Sequence, residues 1–251
     1  MRGSGSFGRY FFGTSSLITA SMLAVSVVLV PAGQVMAQTI SGTTNVTQVL
    51  GAAGVLTVEG TGEITGVNTG VDVTNVTATS ITNDGQINGT IDAIVVQTSG
   101  DISGGINNSG TIDGGYGVHV STSSDISGGV TNQSGGTISG DTAIFIQNSS
   151  DLSGGITNSG TISGSTGRGV HVQFNSDISS GIVNQSGGVI SGTEGVTVQT
   201  SDISGGITND GTITGTNYGI EVINSSDVLG GIVNSGTISG ATAIFASSSS
   251  I

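Results

Sequence analysis

Acidic residues recur in this sequence at a spacing that would bring their carboxylates into one row. Successive members are 24, 26, 26, 25 and 25 residues apart, at positions rich in Ser and Gly. Such a row could attract Ca²⁺, which takes oxygen ligands from several carboxylates. The alternative is a series of solvated turns, because an Asp carboxylate accepts a hydrogen bond from its own backbone two residues further on. We favour turns for this row, which comprises Asp101, Asp125, Asp151, Asp177, Asp202 and Asp227.

Asparagines recur with the same period. Each follows an apolar residue by two positions, which places its side chain on the core side of a strand. Amides stacked in this way can hydrogen-bond to one another, and each would cost about 1–3 kcal/mol if it were buried without a partner. We therefore predict a structural ladder, rather than a row of substrate-binding amides, formed by Asn83, Asn108, Asn132, Asn158, Asn184, Asn209 and Asn234.

A third recurring position changes its residue type from unit to unit and includes His119, Phe145, His171 and Phe245. These side chains are predicted to form either a stack along a sheet face or an exposed contact stripe. The two histidines are separated by the unit that contributes Phe145. This is too far for shared ligation of a zinc ion, which needs nitrogen atoms at roughly 2.1 Å. We expect a candidate contact stripe, with no metal and no cofactor.

The sequence contains few residues of the types that catalysis requires. Glycoside hydrolysis needs two carboxylates with separated pKa values in a cleft, and lyase chemistry needs a strong base or a cation beside basic residues. After residue 37 the chain has Arg168 as its one basic residue, with no Lys and no Cys. No Ser, His and Asp set stands apart from the repeat. We expect no catalytic residues, and the alternative is a polysaccharide-active β-helix enzyme.

The first 37 residues have the features of an export signal. Arg2 and Arg9 precede an apolar stretch at 17–30, and Val35 and Ala37 lie three and one residues before the expected cleavage point. The 14-residue stretch is short for a bilayer span of roughly 20. The rest of the chain carries one Arg and 16 acidic residues, a net charge of −15. Nucleic acid and anionic lipid are therefore not expected as partners.

The remainder is built from about eight units of 24–26 residues, and Gly accounts for 46 of the 251 residues of the chain. Within each unit the apolar period is two, which indicates strands, and Gly, Ser, Asn and Asp between the strands indicate turns. Each unit contains three short strands, such as those around Ile156, Ile162 and Val172. A unit of this kind cannot bury its apolar face alone, so the units must stack.

The predicted fold is all-β: a parallel β-helix, or solenoid, of about eight coils with three short strands each. Coils would lie roughly 4.8 Å apart along one axis. Equivalent residues would form columns, with Ile156 between Val130 and Ile182. The predicted divisions are an export signal at 1–37, an N-terminal lead-in at 38–51 and the repeat domain at 52–251.

Units of the type GGITNSGTISG, as at 154–164, together with an export signal, resemble the passenger region of Gram-negative autotransporters. The resemblance covers roughly residues 50–251. It implies a right-handed helix, display on the cell surface by a C-terminal outer-membrane barrel, and adhesion to host or neighbouring-cell surface molecules or glycans. No barrel pattern occurs before Ile251. Three alternatives follow: the sequence is a fragment of a longer protein, its barrel is encoded elsewhere, or the protein is secreted.

Two further expectations concern the surface of the rod. The last unit has no atypical sequence that would cover an open edge, so we expect end-to-end self-association. A flat pattern of hydroxyl side chains, such as Thr161 and Ser163, resembles the ice-contacting faces of some β-helical antifreeze proteins. Val189 interrupts this pattern, and Thr is in any case a good strand residue, so ice binding is a weaker alternative.

Overall fold

The computed structural model describes residues 18–19 and 37–251. The predicted export signal therefore lies outside the described residues, except for Ala37 and a short strand at Ile18–Thr19. In the described part of the chain the regular structure consists of strands, which pair in parallel as a β-solenoid. None of those residues belongs to a helix that could cross a membrane.

The first strand of each coil contributes to one continuous sheet, which lies along one side of the rod. Each strand alternates an apolar core residue with an outward residue and ends, from the third coil onward, at an asparagine. The strands are Ala37–Ile40, Val55–Val58, Ser80–Asn83, Ile106–Asn108, Val130–Asn132, Ile156–Asn158, Ile182–Asn184, Ile207–Asn209 and Ile232–Asn234.

The second and third strands of each coil form the rest of the wall. The second strands are Thr43–Thr44, Glu63–Gly66, Gln86–Gly89, Thr111–Asp113, Thr137–Gly140, Thr161–Gly164 and Thr237–Ser239. The third strands are Gln48–Val49, Thr69–Thr74, Asp92–Gln97, Tyr116–Ser121, Thr142–Ile146, Val170–Gln173 and Thr242–Ser247. In two coils the second and third strands run together, as Val189–Gln199 and Thr212–Ile223.

A short fourth element closes most coils at the Asp positions. It comprises the two-residue strands Thr77–Ala78, Asp101–Ile102, Asp125–Ile126, Asp202–Ile203 and Asp227–Val228. Isolated parallel bridges, such as Leu152 with Ile178, continue the same line through the coils between them. The Ser- and Gly-rich composition predicts a turn for this segment, whereas the structure pairs two of its residues with the neighbouring coils.

The stack contains about nine coils rather than about eight. Residues 37–51, which include the predicted lead-in, form the additional coil: Ala37–Ile40 pairs with Val55–Val58, and Gln48–Val49 pairs with the following third strand. This coil lacks the repeat motif, but it still places Ile40 and Leu50 in the core, where they are 1% and 4% exposed. Apolar alternation was sufficient for stacking without the Gly and Asn signature.

The predicted register is confirmed. Ile156 pairs with Val130 and Ile182, and the same correspondence holds along the second and third strands. The inward Ile, Val and Leu side chains form one continuous core of buried residues. The short strands are therefore stabilised by burial between coils, at about 25 cal/mol per Å² of apolar surface, rather than within any one coil.

Two backbone features turn the chain at the corners. A pair of residues before most of the Asp positions has positive φ, as at Thr122 and Ser123, where φ is 60° and 58°. Gly129 has φ of 76° before the first strand, and a Cβ there would lie 2.5 Å from the Gly155 carbonyl oxygen. Only glycine fits this second corner, because the coils approach each other through their backbones.

Candidate functional site: the outward face of the third strands

The predicted asparagine ladder is present inside the rod. From Asn83 to Asn209, each Nδ2 donates a hydrogen bond of 2.7–2.9 Å to Oδ1 of the asparagine in the next coil. These six residues have no solvent exposure. Asn158 Nδ2 also contacts the carbonyl oxygens of Gly160 and Val189, at 3.2 and 3.1 Å. The ladder therefore satisfies backbone groups as well as amides.

The ladder has two different ends. Val58 precedes Asn83 in register, and within the described residues Oδ1 of Asn83 has no hydrogen-bond partner. At the other end Asn234 is exposed, and its Nδ2 donates to the Gly236 carbonyl at 3.2 Å. The interior members hold the full set of contacts, which identifies the column as architecture.

The aspartates also form a column, but our explanation of it was wrong. From Asp101 to Asp202, Oδ1 of each Asp accepts a hydrogen bond of 2.9–3.1 Å from the backbone N–H of the Asp in the next coil, not from its own backbone. The N–H two residues on is already used: Ser127 N–H donates to the Ile102 carbonyl of the previous coil. The backbone N–H that a local turn would need is therefore engaged in a hydrogen bond between coils.

Burial raises the pKa of Asp151, the third of the six aspartates in the column. The hydrogen bond from the Asp177 N–H opposes this shift, and the neighbouring charges of Asp125 and Asp177 add to it. The aspartate row is therefore a hydrogen-bonded structural element that carries some like-charge repulsion.

Sequence analysis missed a serine column next to the aspartates. In each step a backbone N–H donates to the serine Oγ of the next coil at 3.1 Å, as from Ser124 to Ser150. Four of these serines have no solvent exposure. The signal was available, because Ser directly precedes Asp in most units. It was hidden by the general abundance of Ser.

The outward side chains of the third strands differ from all these columns, and we call them the outer array. They lie in three columns whose residue types change from coil to coil. The array contains both histidines, the one basic residue after position 37, and four of the five aromatic residues after that position. Its chemically distinctive members are Asp72, Asp92, Tyr116, His119, Phe145, Arg168, His171, Glu194, Tyr218, Glu221 and Phe245.

The predicted contact stripe lies in the central column, but its middle is not exposed. Phe145 and His171 are 7% and 6% exposed, whereas His119 and Phe245 are half-buried. The prediction of a stack is confirmed: the Phe145 ring lies between the rings of His119 and His171, with centroids 5.3 and 5.0 Å away and planes 14° and 13° apart. Both ring faces of Phe145 are covered, so only ring edges face outward, and the histidines cannot share a metal ion.

Complementary polar pairs hold the outer array together. His119 Nδ1 lies 2.9 Å from Asp92 Oδ1, and its Nε2 lies 3.0 Å from Gln147 Nε2. With Nδ1 protonated, the imidazole donates to the carboxylate and accepts from the amide. This resembles the base and its orienting carboxylate in hydrolases, but an amide occupies the position of the nucleophile. The geometry supports a rigid surface rather than acyl transfer.

A second cluster of polar side chains lies in the sixth to eighth coils. Arg168 Nε lies 3.2 Å from Glu194 Oε2, a charge contact without good hydrogen-bond alignment. Burial lowers the pKa of His171 to about 3, and the Arg168 charge adds to this effect. Burial raises the pKa of Glu221, with a further contribution from Glu194. Among the described residues, His171 Nε2 is buried without a hydrogen-bond partner.

The fold and its surface define the chain as a parallel β-solenoid with one chemically varied face. No family model, no curated protein and no solved structure matches the chain. In the described part, no three His, Asp or Glu side chains gather closely enough to hold a metal ion.

Proposed function

We propose that this chain is an exported structural and interaction module, a passenger-like solenoid displayed on a cell surface or secreted. The uniform columns build a rod, and the outer array contacts molecules on host or neighbouring cells, glycans among them. One observation carries the proposal: the repeat is maintained wherever side chains support stacking, and it is abandoned on the outer array. Half-buried polar and aromatic residues that face outward and that stacking does not require, such as Tyr116, Arg168 and Tyr218, are candidates for recognition.

A cell-attachment assay with a matched set of variants tests the proposal. Thr occupies the first column of the outer array at Thr69, Thr142 and Thr242, so Thr fits this position structurally. The test variant replaces four residues of that column together. It carries Tyr116→Thr, Arg168→Thr, Glu194→Thr and Tyr218→Thr.

The control variant changes a different face of the rod. It carries Thr111→Val, Thr161→Val and Thr212→Val on the second strands, where Val189 already occupies the same column. We expect the first variant to lose attachment at least tenfold and the control to retain it. Equal attachment by wild type and both variants, at equal display and with unchanged far-UV spectra, would contradict the proposal that the outer array mediates adhesion.

A polysaccharide-active enzyme is the alternative from another class. Glu194 and Glu221 stand in consecutive coils, one beside Arg168 and the other with a pKa raised by burial. Carboxyl groups with different environments are what glycoside hydrolysis requires. Release of reducing ends from a polysaccharide panel, abolished by Glu221→Gln, would favour the enzyme. Binding without release favours the interaction module.

The hydroxyl face supports ice binding less well. Its second column bonds to itself, as in the 3.1 Å contact from Ser191 Oγ to Ser163 Oγ, so the hydroxyl proton that could donate to an ice lattice is already used. A thermal-hysteresis measurement on the purified protein tests this alternative directly.

A further inference from the structure

One corner of the rod departs from the repeat in the sixth to eighth coils. The second and third strands are separated in the sixth coil but run together in Val189–Gln199 and Thr212–Ile223. Their pairing shifts register between Gly192 and Glu194. A bulge redirects the side chains beside it, and such irregularities are common next to binding and catalytic sites. The extra residue lies on the Thr212–Ile223 strand, where Thr216 and Asn217 oppose Thr193, and Asn217 contacts Glu194, the partner of Arg168.

A groove of about 320 Å³ follows this corner across the three coils. Three glycines and five hydroxyl residues line it, and the hydroxyls belong to Ser165, Ser191, Thr193, Thr214 and Thr216. Its volume is at the lower end of the roughly 300–1,000 Å³ of ligand pockets. Gly192 is required where the register shifts, because a Cβ there would lie 2.6 Å from the Glu194 carbonyl oxygen.

The hydroxyl groups of the groove retain capacity for a ligand. Thr193 Oγ1 donates its proton to the Thr166 carbonyl at 3.0 Å, and Ser191 Oγ donates to Ser163 Oγ at 3.1 Å. A hydroxyl that donates internally still has lone pairs free to accept. The groove therefore presents acceptors at intervals of one coil, roughly 4.8 Å.

A guanidinium donor and a fixed carboxylate lie beside this corner on the third-strand side, next to the residues that line the groove. Glu194 is held at both oxygens, by Arg168 at 3.2 Å and by Asn217 Nδ2 at 3.1 Å. The Arg168 side chain is 34% exposed and that of Glu194 only 9%, so the guanidinium is the accessible member of the pair. Tyr218 pairs in register with Glu194 and adds a half-buried aromatic ring.

A second groove lies at the equivalent corner of the first coils and serves as a comparison. It is lined by residues that include Val46 and Val67, which are 46% and 78% exposed. Asp72 is the charged residue among those that line it, whereas the lining of the first groove is uncharged. The accessible guanidinium paired with a buried carboxylate lies beside the groove of the sixth to eighth coils.

We propose that the groove at Gly164–Thr216 binds one stretch of an extended, uncharged polysaccharide that lies along the rod axis. Hydroxyl acceptors repeated from coil to coil suit a polyhydroxylated chain. The Arg168–Glu194 pair leaves the local charge near neutral, and the part of the chain after residue 37, with a net charge of −15, repels polyanions, which argues against uronates. This inference rests on the proposed interaction function and gives one class of ligand for it.

Titration calorimetry on the purified protein tests the inference. The probes are the neutral hexasaccharides maltohexaose, cellohexaose and chitohexaose, with hexagalacturonate as the anionic probe. We expect at least one neutral probe to bind and hexagalacturonate to bind at least tenfold more weakly. Ser191→Trp and Thr214→Trp, which fill the groove from outward positions, each weaken neutral binding at least tenfold.

The matched control is Ser139→Trp, which occupies the same second-strand column outside the groove. It keeps wild-type affinity, and unchanged far-UV spectra show that all three variants fold. Binding of none of the neutral probes, stronger binding of the uronate, or equal loss in the control overturns the inference. If cell attachment persists without hexasaccharide binding, the groove assignment fails alone. If hexasaccharides bind without attachment, the proposed adhesion fails and the groove remains.

Discussion

The asparagine ladder and the outer array are columns of the same coils, yet they obey opposite rules. In the ladder one residue type repeats at hydrogen-bond distances of 2.7–2.9 Å. In the outer array neighbours differ, and the close contacts join unlike groups, such as Asp92 with His119 and Arg168 with Glu194. Both are well packed, so packing alone does not distinguish them.

The difference follows from what identical neighbours can do for each other. A side chain that stacks on its own kind must either be apolar or carry both a donor and an acceptor, as Asn and Ser do. Charged groups repel their copies, so a charged column is tolerated only with help from the backbone, as for Asp, or with complementary neighbours. Each pair in the outer array therefore depends on a particular combination of residues.

The largest expected effect comes from breaking the ladder in its middle. Asn158→Ala removes the partner of Asn132 Nδ2 and of Asn184 Oδ1 at a position without solvent exposure. We expect a loss of about 2–4 kcal/mol in the free energy of unfolding, because buried polar groups are left unpaired. Urea denaturation followed by circular dichroism measures it. Asn234→Ala, at the exposed end, is the control and costs less than about 1 kcal/mol.

The next effect concerns acid stability of the outer array. His171 is neutral when folded because its pKa is lowered to about 3, whereas the unfolded chain takes up a proton below its ordinary pKa of 6.5. Stability is therefore lost as pH falls from about 6.5 toward 3, by about 2–3 kcal/mol at pH 4.5. His171→Phe keeps a ring beside Phe145 and removes this loss.

The control for His171 is His119→Phe, which preserves the ring stack on the other face of Phe145. It keeps the acid dependence that His171 causes. Urea midpoints at pH 7.5 and 4.5 compare the three proteins. A wild-type loss that persists in His171→Phe would show that the buried imidazole is not its source.

The repeat carried enough information to predict the fold and the inner columns. Period-two apolar residues gave the strands, and the equal spacing of Ile156, Ile182 and their equivalents gave the register. Both depend on regularities that every coil must satisfy for its neighbours to stack. The first coil escaped notice because it satisfies them without the Gly and Asn motif.

The outer array was only partly predictable, because its contacts join residues of different type. The repeat spacing does not predict the contact between Arg168 and Glu194. It also does not predict the contact between Asp92 and His119, which occupy different columns. The stack around Phe145 was foreseen as one interpretation, but its burial depends on neighbours on both sides. The register shift after Gly192 comes from one extra residue in the next coil, between Gly215 and Gly219, which the nearly constant length of the repeat concealed.

The smallest expected effect concerns the aspartate row. This row resembles the asparagine ladder in repeating one residue type, and it resembles the outer array in carrying charge. Asp151→Asn keeps an oxygen that can accept from the Asp177 N–H while it removes a charge. Because the folded pKa of Asp151 is raised, its ionised form is disfavoured, and the variant should gain at most about 0.5 kcal/mol at pH 7 after solvent screening. The gain disappears below the usual Asp pKa, where both states are protonated.

Asp151→Ala is the matched control, because it removes both the charge and the acceptor. It should lose stability at every pH, and urea midpoints at pH 7 and pH 3 separate the two variants. If Asp151→Ala is destabilised and Asp151→Asn is not, the row requires its acceptor oxygens rather than its charge, and its role is structural like that of the ladder. If millimolar Ca²⁺ stabilises the wild type and neither variant, the charge serves a cation and the row belongs with the functional surface.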